Sequence, residues 1–438
     1  MWAVHNGSGV YGSGRLRETR SNLGNCLRVA WSFVALIVQK YGGTSVGDPD
    51  RIKAVADHIA RTVRSGNQVI VAVSAMGKTT DDLIRLANDV TTHPAGGREM
   101  DMLLTAGERI SIALVSMAIN DLGVPAVSFT GSQAGIVTDT HHGNAKIVEI
   151  KGDRIQAALD AGNVAVIAGF QGVSTAKEIV TLGRGASDLT AVAMAAHFRA
   201  ESCEIYTDVE GVYTADPRIV PNARKQARIT LEEMLEMAAT GGRVLALRSV
   251  EYARNHGVRI HVRSSFTWAP GTWVEEENAV MEQAIISGVT HDTSEAKVTI
   301  EQVPDQPGVA GKVFRLLADA GCNVDMIVQN VSTQGHTDIS FTLPKLDVPL
   351  LEAVMPRIVG EIGAKGFQAD PDVGRVSLVG AGMKTHPGVA ATMFETLAAQ
   401  NINIEMISTS TFRISCVVRQ SDVENAVRSL HDAFELGA

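Results

Sequence analysis

The fold is set by the stretch VALIVQKYGGTSVGDP, Val34 to Pro49. Val34 to Gln39 is an apolar run of strand length, Gly42-Gly43 is a tight loop, and Asp48-Pro49 is a helix start, with an N-cap followed by proline at the first helical position. Ile52, Val55, Ala56, Ile59 and Val63 then recur at helical spacing, and Gly66 closes that helix. The alternation continues down the chain. Strands are expected at Val69 to Val73, Ala126 to Phe129, Val164 to Ala168 and Cys203 to Tyr206. Helices are expected over 80–90, 99–121, Thr190 to His197 and 230–239. Short β-rich runs separated by helices imply a mostly parallel sheet covered on both faces, an αβα sandwich of class α/β. In such folds ligands bind beyond the carboxyl ends of the strands.

Near residue 265 the character changes. Phe266 to Glu277 carries Trp268, Pro270, Gly271, Trp273 and three consecutive glutamates, and reads as a linker over 266–283. Beyond it Pro307-Gly308-Val309-Ala310, Phe314, Leu317, Ala318, Asn323, Met326 and Ile327 recur 80 positions later as Pro387-Gly388-Val389-Ala390, Phe394, Leu397, Ala398, Asn403, Met406 and Ile407. Fixed register over so many identities marks an internal repeat. Each copy reads strand, Pro-Gly turn, helix, strand, strand, helix, the ferredoxin-like βαββαβ pattern. The first copy runs over about 297–370 and the second over about 373–438. The second lacks a last strand, which Ala284 to Val289 is expected to supply, so the two copies interleave within 284–438. Residues 1–33 are Gly/Ser/Asn/Arg-rich without periodicity and read as a disordered or non-native leader, with Val34 as the start of the folded chain and residues 34–265 as its first domain.

Composition narrows the function. Lys+Arg total 39 against Asp+Glu 48, a formal charge of −9, and no basic cluster favours nucleic acid. The apolar run Val29 to Val38 is ten residues, too short to span a bilayer. Cys26, Cys203, Cys322 and Cys416 form no CxxC pair and no zinc spacing, as expected of free thiols in a reducing cytoplasm. His141-His142 has no nearby partner at ligand spacing and reads as a surface loop; no protein metal site is expected.

Three segments carry chemistry. Lys40-Tyr41-Gly42-Gly43-Thr44-Ser45 puts a cation and close-approaching backbone N–H groups before a helix N-terminus, which suits phosphate; a lysine in a tight structural turn gives the same pattern. Thr181-Leu182-Gly183-Arg184-Gly185-Ala186-Ser187-Asp188 holds an arginine between glycines, suited to a bidentate grip on carboxylate or phosphate. Ser187 and Asp188 fall where N-caps fall. Tyr206 to Arg218, YTDVEGVYTADPR, is a strand end and an acidic turn-rich loop that fits an adenosine site and a plain surface loop alike.

Together with Ser74–Gly77 (SAMG), Thr105–Ser111 (TAGERIS) and Glu251–Arg254 (EYAR), these segments occur in the order of the amino-acid kinase family. The chain from Val34 on resembles the aspartate kinases of that family, and the repeat resembles their paired ACT domains. The resemblance is closest to the monofunctional type that responds to lysine and threonine. It implies ATP-dependent phosphorylation of the β-carboxylate of L-aspartate to 4-phospho-L-aspartate, the first step toward lysine, threonine and methionine, with feedback inhibition by amino acids. It implies ATP with Mg²⁺ bound through the nucleotide, a cytoplasmic protein without nucleic-acid or membrane partners, and a homodimer or higher oligomer through the ACT domains, with a shorter regulatory chain from an internal start near Met281 as a variant. Carried over by residue, Lys40 and the Gly42–Gly43 backbone would hold the transferring phosphoryl group and Ser74 would lie at the shared centre. Thr80, Glu108, Arg184, Gly185 and Ser187 would bind substrate, Glu108 taking the α-ammonium and Arg184 the α-carboxylate. Asp188 would act with Lys40 in catalysis. Tyr41, Thr207, Asp208, Tyr213, Asp216, Pro217, Arg218 and Arg243 would line the nucleotide site. Asn323, Val324, Asp325 and Gln329, with Asn403 and Ile404 in the second copy, would bind effector. The chain departs from the family at Ala186, in place of a glycine, at Arg243, in place of a lysine, and at Thr411, in place of a glutamate.

The proposed nucleophile, a carboxylate with a pKa of about 4, is ionised at neutral pH, so no general base is required. Acetylglutamate, glutamate, carbamate and nucleoside-monophosphate kinases are the rivals within the fold, and a non-catalytic amino-acid sensor is the rival outside it. A free α-ammonium accounts for a carboxylate at Glu108, whereas acetylglutamate would leave that charge unpaired.

Overall fold

The opening stretch folds into strand Leu36–Tyr41, a 3₁₀ turn at Gly43–Val46, and helix Pro49–Arg64 capped by Asp48, whose side chain accepts the Arg51 N–H at 2.9 Å. This is seen in a computed structural model that describes residues 34–91, 97–183, 185–267, 269–276, 286–330, 335–383, 386 and 388–438. Leu36–Tyr41 lies inside an eight-stranded sheet of order Arg228–Thr230, Thr272–Glu275, Ile260–Ser264, Ser202–Thr207, Leu36–Tyr41, Gln68–Val73, Val164–Ala168 and Ala126–Phe129. All neighbours are parallel except Ile260–Ser264 with Thr272–Glu275. From Leu36–Tyr41 the next strand in sequence lies to one side and Ser202–Thr207 to the other. The order therefore reverses at its carboxyl end, where a crevice opens.

Both faces are covered. Helices Pro49–Arg64 and Arg98–Asp121 pack Val55, Ile59, Ile112 and Val115 against Val69, Val71 and Val166. On the other face, helices Asp153–Asp160, Ala186–Phe198, Leu231–Ala239 and Leu247–His256 enclose Ile70, Ile167, Ile205 and Val262. Arg98–Asp121, 24 residues, is long and apolar enough to cross a membrane by length and composition. Its buried face lies on the sheet and carries Asp101, Glu108 and Ser111.

Three expectations are corrected. The helix expected from Thr190 begins at Ala186, because Gly185 at φ 75° is the N-cap; Ser187 and Asp188 sit in the first turn, not at the cap. Thr272–Glu275, assigned to the linker, is a strand of the main sheet. Gly271, just before it, packs tightly on the neighbouring strand: a Cβ there would lie 1.9 Å from the Val262 carbonyl oxygen. Trp273 stacks on His261, and Glu275 pairs with Arg228 and, at 3.0 Å, with Arg259. The strand expected at Ala284 to Val289 is Gly288–Asp292, Ala284 and Ile285 lying outside the described residues. A further sheet, Ile147–Ile150, Ile136–Thr138, Gln171–Ser174 and Ile179–Thr181, was not expected; it lies beside Arg98–Asp121.

The repeat forms two four-stranded sheets. Glu295–Pro304, Asp325–Gln329, His336–Pro344 and Gly366–Asp370 carry helices Val309–Asp319 and Val348–Ile362. In the second, Gly288–Asp292 pairs antiparallel with Val373–Val379, which is followed by Arg413–Arg419 and Met406–Thr409, with helices Val389–Ala399 and Val423–Ala433. The strand preceding the first copy thus completes the second, as the missing strand required. Met326 and Val328 of the first copy meet Val373, Met406 and Val417 of the second. Cys203, Cys322 and Cys416 are buried free thiols.

Candidate active site

Each half of the cleft is positioned by a close backbone approach that excludes side chains. A Cβ on Gly43 would lie 2.7 Å from the Ala75 carbonyl oxygen, so the first glycine loop rests on the SAMG loop. A Cβ on Gly107 would lie 2.8 Å from the Ala75 Cβ, so helix Arg98–Asp121 rests on the other side of that loop. Lys40, Gly43, Ser74, Thr80, Glu108, Gly185, Ser187 and Asp188 consequently line one cleft of about 530 Å³ at the carboxyl ends of the strands, with Asp101, Gly143, Thr181 and Gly183 on its far wall.

Its electrostatics are uneven. Lys40 Nζ lies 2.6 Å from Asp188 Oδ1, both side chains nearly buried, so a cation is fixed beside the glycine loop and aimed by an acid in the first turn of a helix. Glu108 is 3% exposed. Its Oε1 accepts the Ala75 N–H at 3.2 Å, while Oε2 finds no hydrogen-bond partner among the described residues. Burial pushes this carboxyl up to about 7, against the pull of two backbone hydrogen bonds. A buried acid held near neutrality in a cleft is poised to take a positive group.

Arg184 lies outside the described residues, but the loop on either side of it is defined. Gly183 and Gly185 have φ of 93° and 75°, a backbone that glycine adopts without strain. Arg248 holds the loop from behind, donating to the Leu182 carbonyl, to Asn144 Oδ1 at 2.8 Å and to the Ala145 carbonyl at 3.0 Å.

The residues assigned to the nucleotide occupy a second region on the other side of the first strand. Tyr41 presents only its main chain there. Its ring is 1% exposed and stacks on Tyr206 at 4.8 Å, its hydroxyl meeting His58 Nδ1 at 2.6 Å. Gly42 donates its N–H to the Tyr206 carbonyl at 3.4 Å. Thr207 and Asp208 bond to each other at 3.1 Å. Arg218 grips Asp216 through Nε at 3.0 Å and Nη2 at 2.6 Å and is itself exposed, as are Pro217 and Arg243. Tyr213 is half-buried. Burial lowers the His291 pKa; Asp216 opposes that shift, and Arg243 adds to it. Loops distant in sequence therefore converge on a strand of the second ACT sheet.

That contact is extensive. Val289 donates to the Thr214 carbonyl at 2.7 Å, Thr290 and Thr240 hydroxyls lie 2.6 Å apart, and His431 Nε2 lies 3.0 Å from the Thr214 hydroxyl. A Cβ on Gly241 would lie 2.0 Å from the His291 carbonyl oxygen. Of the effector candidates, Asn323, Asp325, Gln329 and Asn403 are exposed, and Val324 and Ile404 half-buried. Asp325 already accepts from Met326 N–H and from Arg375 Nη1, each at 2.8 Å.

Sequence reading missed Asp101, His142 and Arg375. Asp101 stands seven residues before Glu108 on one helix face, a visible signal. His142, expected in a surface loop, has its Nδ1 2.6 Å from buried Asp101 Oδ2 and is mostly covered; its neighbour His141 is exposed. Arg375 aligns with Glu295 at the repeat spacing, a charge reversal that a search for identities passes over.

The match to known proteins covers the described fold. Residues 35–264 match the amino acid kinase family, and residues 298–362 and 376–434 each match the ACT domain. The aspartokinase of Mycolicibacterium smegmatis is 55% identical over 409 residues, 92% of this chain and 97% of that one. The structure of aspartate kinase from Synechocystis is 45% identical, covering 92% of this chain and 70% of that one with a TM-score of 0.52. E. coli aspartokinase III, solved with aspartate and ADP, shares the fold at 23% identity and a TM-score of 0.79, covering 91% and 99%. The chain belongs to the amino acid kinase family, among its aspartokinases with paired ACT domains.

Proposed function

We propose that this chain transfers the terminal phosphoryl group of ATP, carried as its Mg²⁺ complex, to the β-carboxylate of L-aspartate, giving 4-phospho-L-aspartate and ADP. The observation that carries the substrate is Glu108, a buried carboxylate with one oxygen unpartnered, pushed up to about 7 and facing the cleft. A free α-ammonium offsets its burial; an N-acyl group would leave it uncompensated. Arg184 is assigned to the α-carboxylate, and Gly183, Gly185, Ser187 and Thr80 line the same cleft. The β-carboxylate oxygen then attacks the terminal phosphorus and the bond to the ADP oxygen breaks. No proton moves, because the nucleophile is already ionised.

Lys40, held by Asp188, offsets the charge that builds as two anions approach; Gly43 and Ser74 line the same cleft, and the Gly42–Gly43 backbone is assigned to the phosphoryl group. The nucleotide extends from there over Thr207, Asp208, Tyr213, Asp216, Pro217, Arg218 and Arg243, with Mg²⁺ arriving on its phosphates. Arg218 and Arg243 supply planar cations for phosphate. Effector amino acids act at the joint of the ACT sheets through Asn323, Val324, Asp325, Gln329, Asn403 and Ile404. The assembly is a homodimer or larger, in the cytoplasm, where buried reduced thiols are at home.

ADP release is measured with L-aspartate, L-glutamate and N-acetyl-L-glutamate, each with and without lysine plus threonine. Aspartate alone should support turnover, and the amino-acid pair should suppress it. Turnover on N-acetyl-L-glutamate at the rate of aspartate would overturn the substrate reading.

A further inference from the structure

We propose that Asp101 is a positioning residue that sets the distance between the two grips on the substrate, through a hydrogen-bonded node with His142 and Thr181; this rests on reading the cleft as an aspartate site. Asp101 lies in the first turn of helix Arg98–Asp121, seven residues before Glu108. Seven residues are nearly two turns, about 10 Å along the axis, so both carboxylates leave the helix on one side. Asp101 is 1% exposed. Its Oδ1 accepts the Thr181 hydroxyl at 2.6 Å, both oxygens accept the Gly143 N–H at 3.2 Å, and Oδ2 lies 2.6 Å from His142 Nδ1.

These partners flank the loop, Leu182 to Gly185, in which the sequence places the arginine assigned to the α-carboxylate. Thr181 ends strand Ile179–Thr181, three residues before Arg184. Ala145 donates its N–H to the Thr181 carbonyl at 2.9 Å, and a Cβ on Gly183 would lie 2.8 Å from Asn144 Oδ1. The wall from His142 to Ala145 therefore backs the arginine loop, and Asp101 ties that wall to the helix bearing Glu108. The ammonium end and the carboxylate end of the cleft share one carboxylate as their common anchor. Among the described residues no hydrogen bond of Asp101 reaches the nucleotide loops, so losing the node should move the aspartate KM and spare the ATP KM.

The test compares Asp101→Asn, Thr181→Val and Thr181→Ser with the intact chain in steady-state ADP release and thermal unfolding. Asp101→Asn should raise the aspartate KM at least about tenfold, since small misplacements of substrate grips are costly. Thr181→Val should raise it severalfold, and Thr181→Ser, which keeps the hydroxyl, should restore it. The ATP KM should stay within about twofold and the unfolding temperature within a few degrees. An unchanged aspartate KM in Thr181→Val, or a parallel rise in both KM values with a matching loss of stability, would overturn the node as a positioning device. If Asp101→Asn does not fold, the threonine pair decides alone. Failure of the intact chain to phosphorylate aspartate would instead refute the substrate reading, so the two failures are distinguishable.

Discussion

The catalytic cleft and the joint between the ACT sheets are both lined by acids at strand and helix ends, and they balance charge in opposite ways. In the cleft, Glu108 is buried without an ion pair among the described residues, and burial pushes its pKa up to about 7. At the joint Glu295, Asp325 and Glu405 each face a cation. Arg375, 2% exposed, lies 2.8 Å from both Glu295 and Asp325, while Glu405 takes Lys297 at 3.0 Å and also Arg419. Asp325 and Glu405 are 80 positions apart, so each copy of the repeat offers an acid that the other copy neutralises. An uncompensated buried acid waits for a ligand's charge. A compensated one must be won from its partner, and that competition can move the protein.

The sharpest break in this comparison is Lys40→Ala. Lys40–Asp188 is the cleft's own ion pair, and in the proposed reaction its cation acts on charge that develops in the transition state. ADP release should fall by about a thousandfold or more in kcat. Lys297→Ala removes a lysine of similar burial at the joint and should leave the uninhibited kcat where it was. Comparable turnover in the two variants would erase the distinction between a catalytic and a structural lysine.

Arg375→Met is the counterpart at the joint. It strands Glu295 and Asp325 and removes the hydrogen bond from Nη2 to the Ala239 carbonyl, 2.9 Å away at the end of helix Leu231–Ala239. Breaking a buried pair by removing one partner costs about 3–5 kcal/mol. Urea unfolding should show that loss, and Glu295→Gln in the same chain should recover part of it. Full stability in the single variant would mean that the joint is solvated and that its pairs carry no structure.

What was legible beforehand follows the same physics. Val164–Ala168 is found to the residue because a buried parallel strand reads as a short apolar run between breakers, and the edge strand Ala126–Phe129 is found to the residue as well. The start of helix Ala186–Phe198 is missed because its cap is a glycine without a side-chain signal. Thr272–Glu275 is missed because two tryptophans, Pro270-Gly271 and glutamates imitate a linker, whereas Arg228 and Arg259 neutralise Glu275 from neighbouring strands. The glycine loops and their cations are legible because motif spacing is local. The Asp101–His142 contact spans 41 positions and the Arg375–Asp325 contact 50, so neither leaves a local pattern.

Glu108→Gln tests whether the unbalanced charge costs stability in order to serve binding. The folded pKa, about 7, lies above the ordinary 4.5 because burial disfavours the carboxylate. Below pH 4.5 the acid is protonated in both folded and unfolded chains and the variant gains nothing. Above pH 7 the folded chain carries the whole penalty, up to about 3 kcal/mol at 1.4 kcal/mol per pKa unit. The glutamine chain should therefore unfold at a higher temperature than the parent at pH 8 and at the same temperature near pH 4. Its aspartate KM should rise severalfold to a hundredfold while the ATP KM stays. In the parent, the aspartate KM should climb as pH falls below 7, because the protonated acid no longer attracts the ammonium. Equal melting temperatures at pH 8 would show that Glu108 is already compensated.

The smallest effect on the resting protein, and the most informative for regulation, is expected from Asp325→Asn. Its side chain is 53% exposed, and Arg375 keeps Glu295 without it, so the change in stability should stay under about 1 kcal/mol. The uninhibited kcat should not move. An effector's ammonium reaching Asp325 competes with the guanidinium of Arg375, whose other arm holds the Ala239 carbonyl. Four residues beyond Ala239 stands Arg243, near Asp216 and His291. Shifting Arg375 at the joint therefore pulls on the end of the helix that leads to the nucleotide loops, a route of few bonds between the two regions. Differential binding of 1–3 kcal/mol between the two arrangements is typical of such coupling. With the acid gone, the lysine and threonine concentrations needed for half-inhibition should rise at least about tenfold, which corresponds to 1.4 kcal/mol. Inhibition at the parent's concentrations would break the link between Asp325 and the cleft and leave the joint as structure alone.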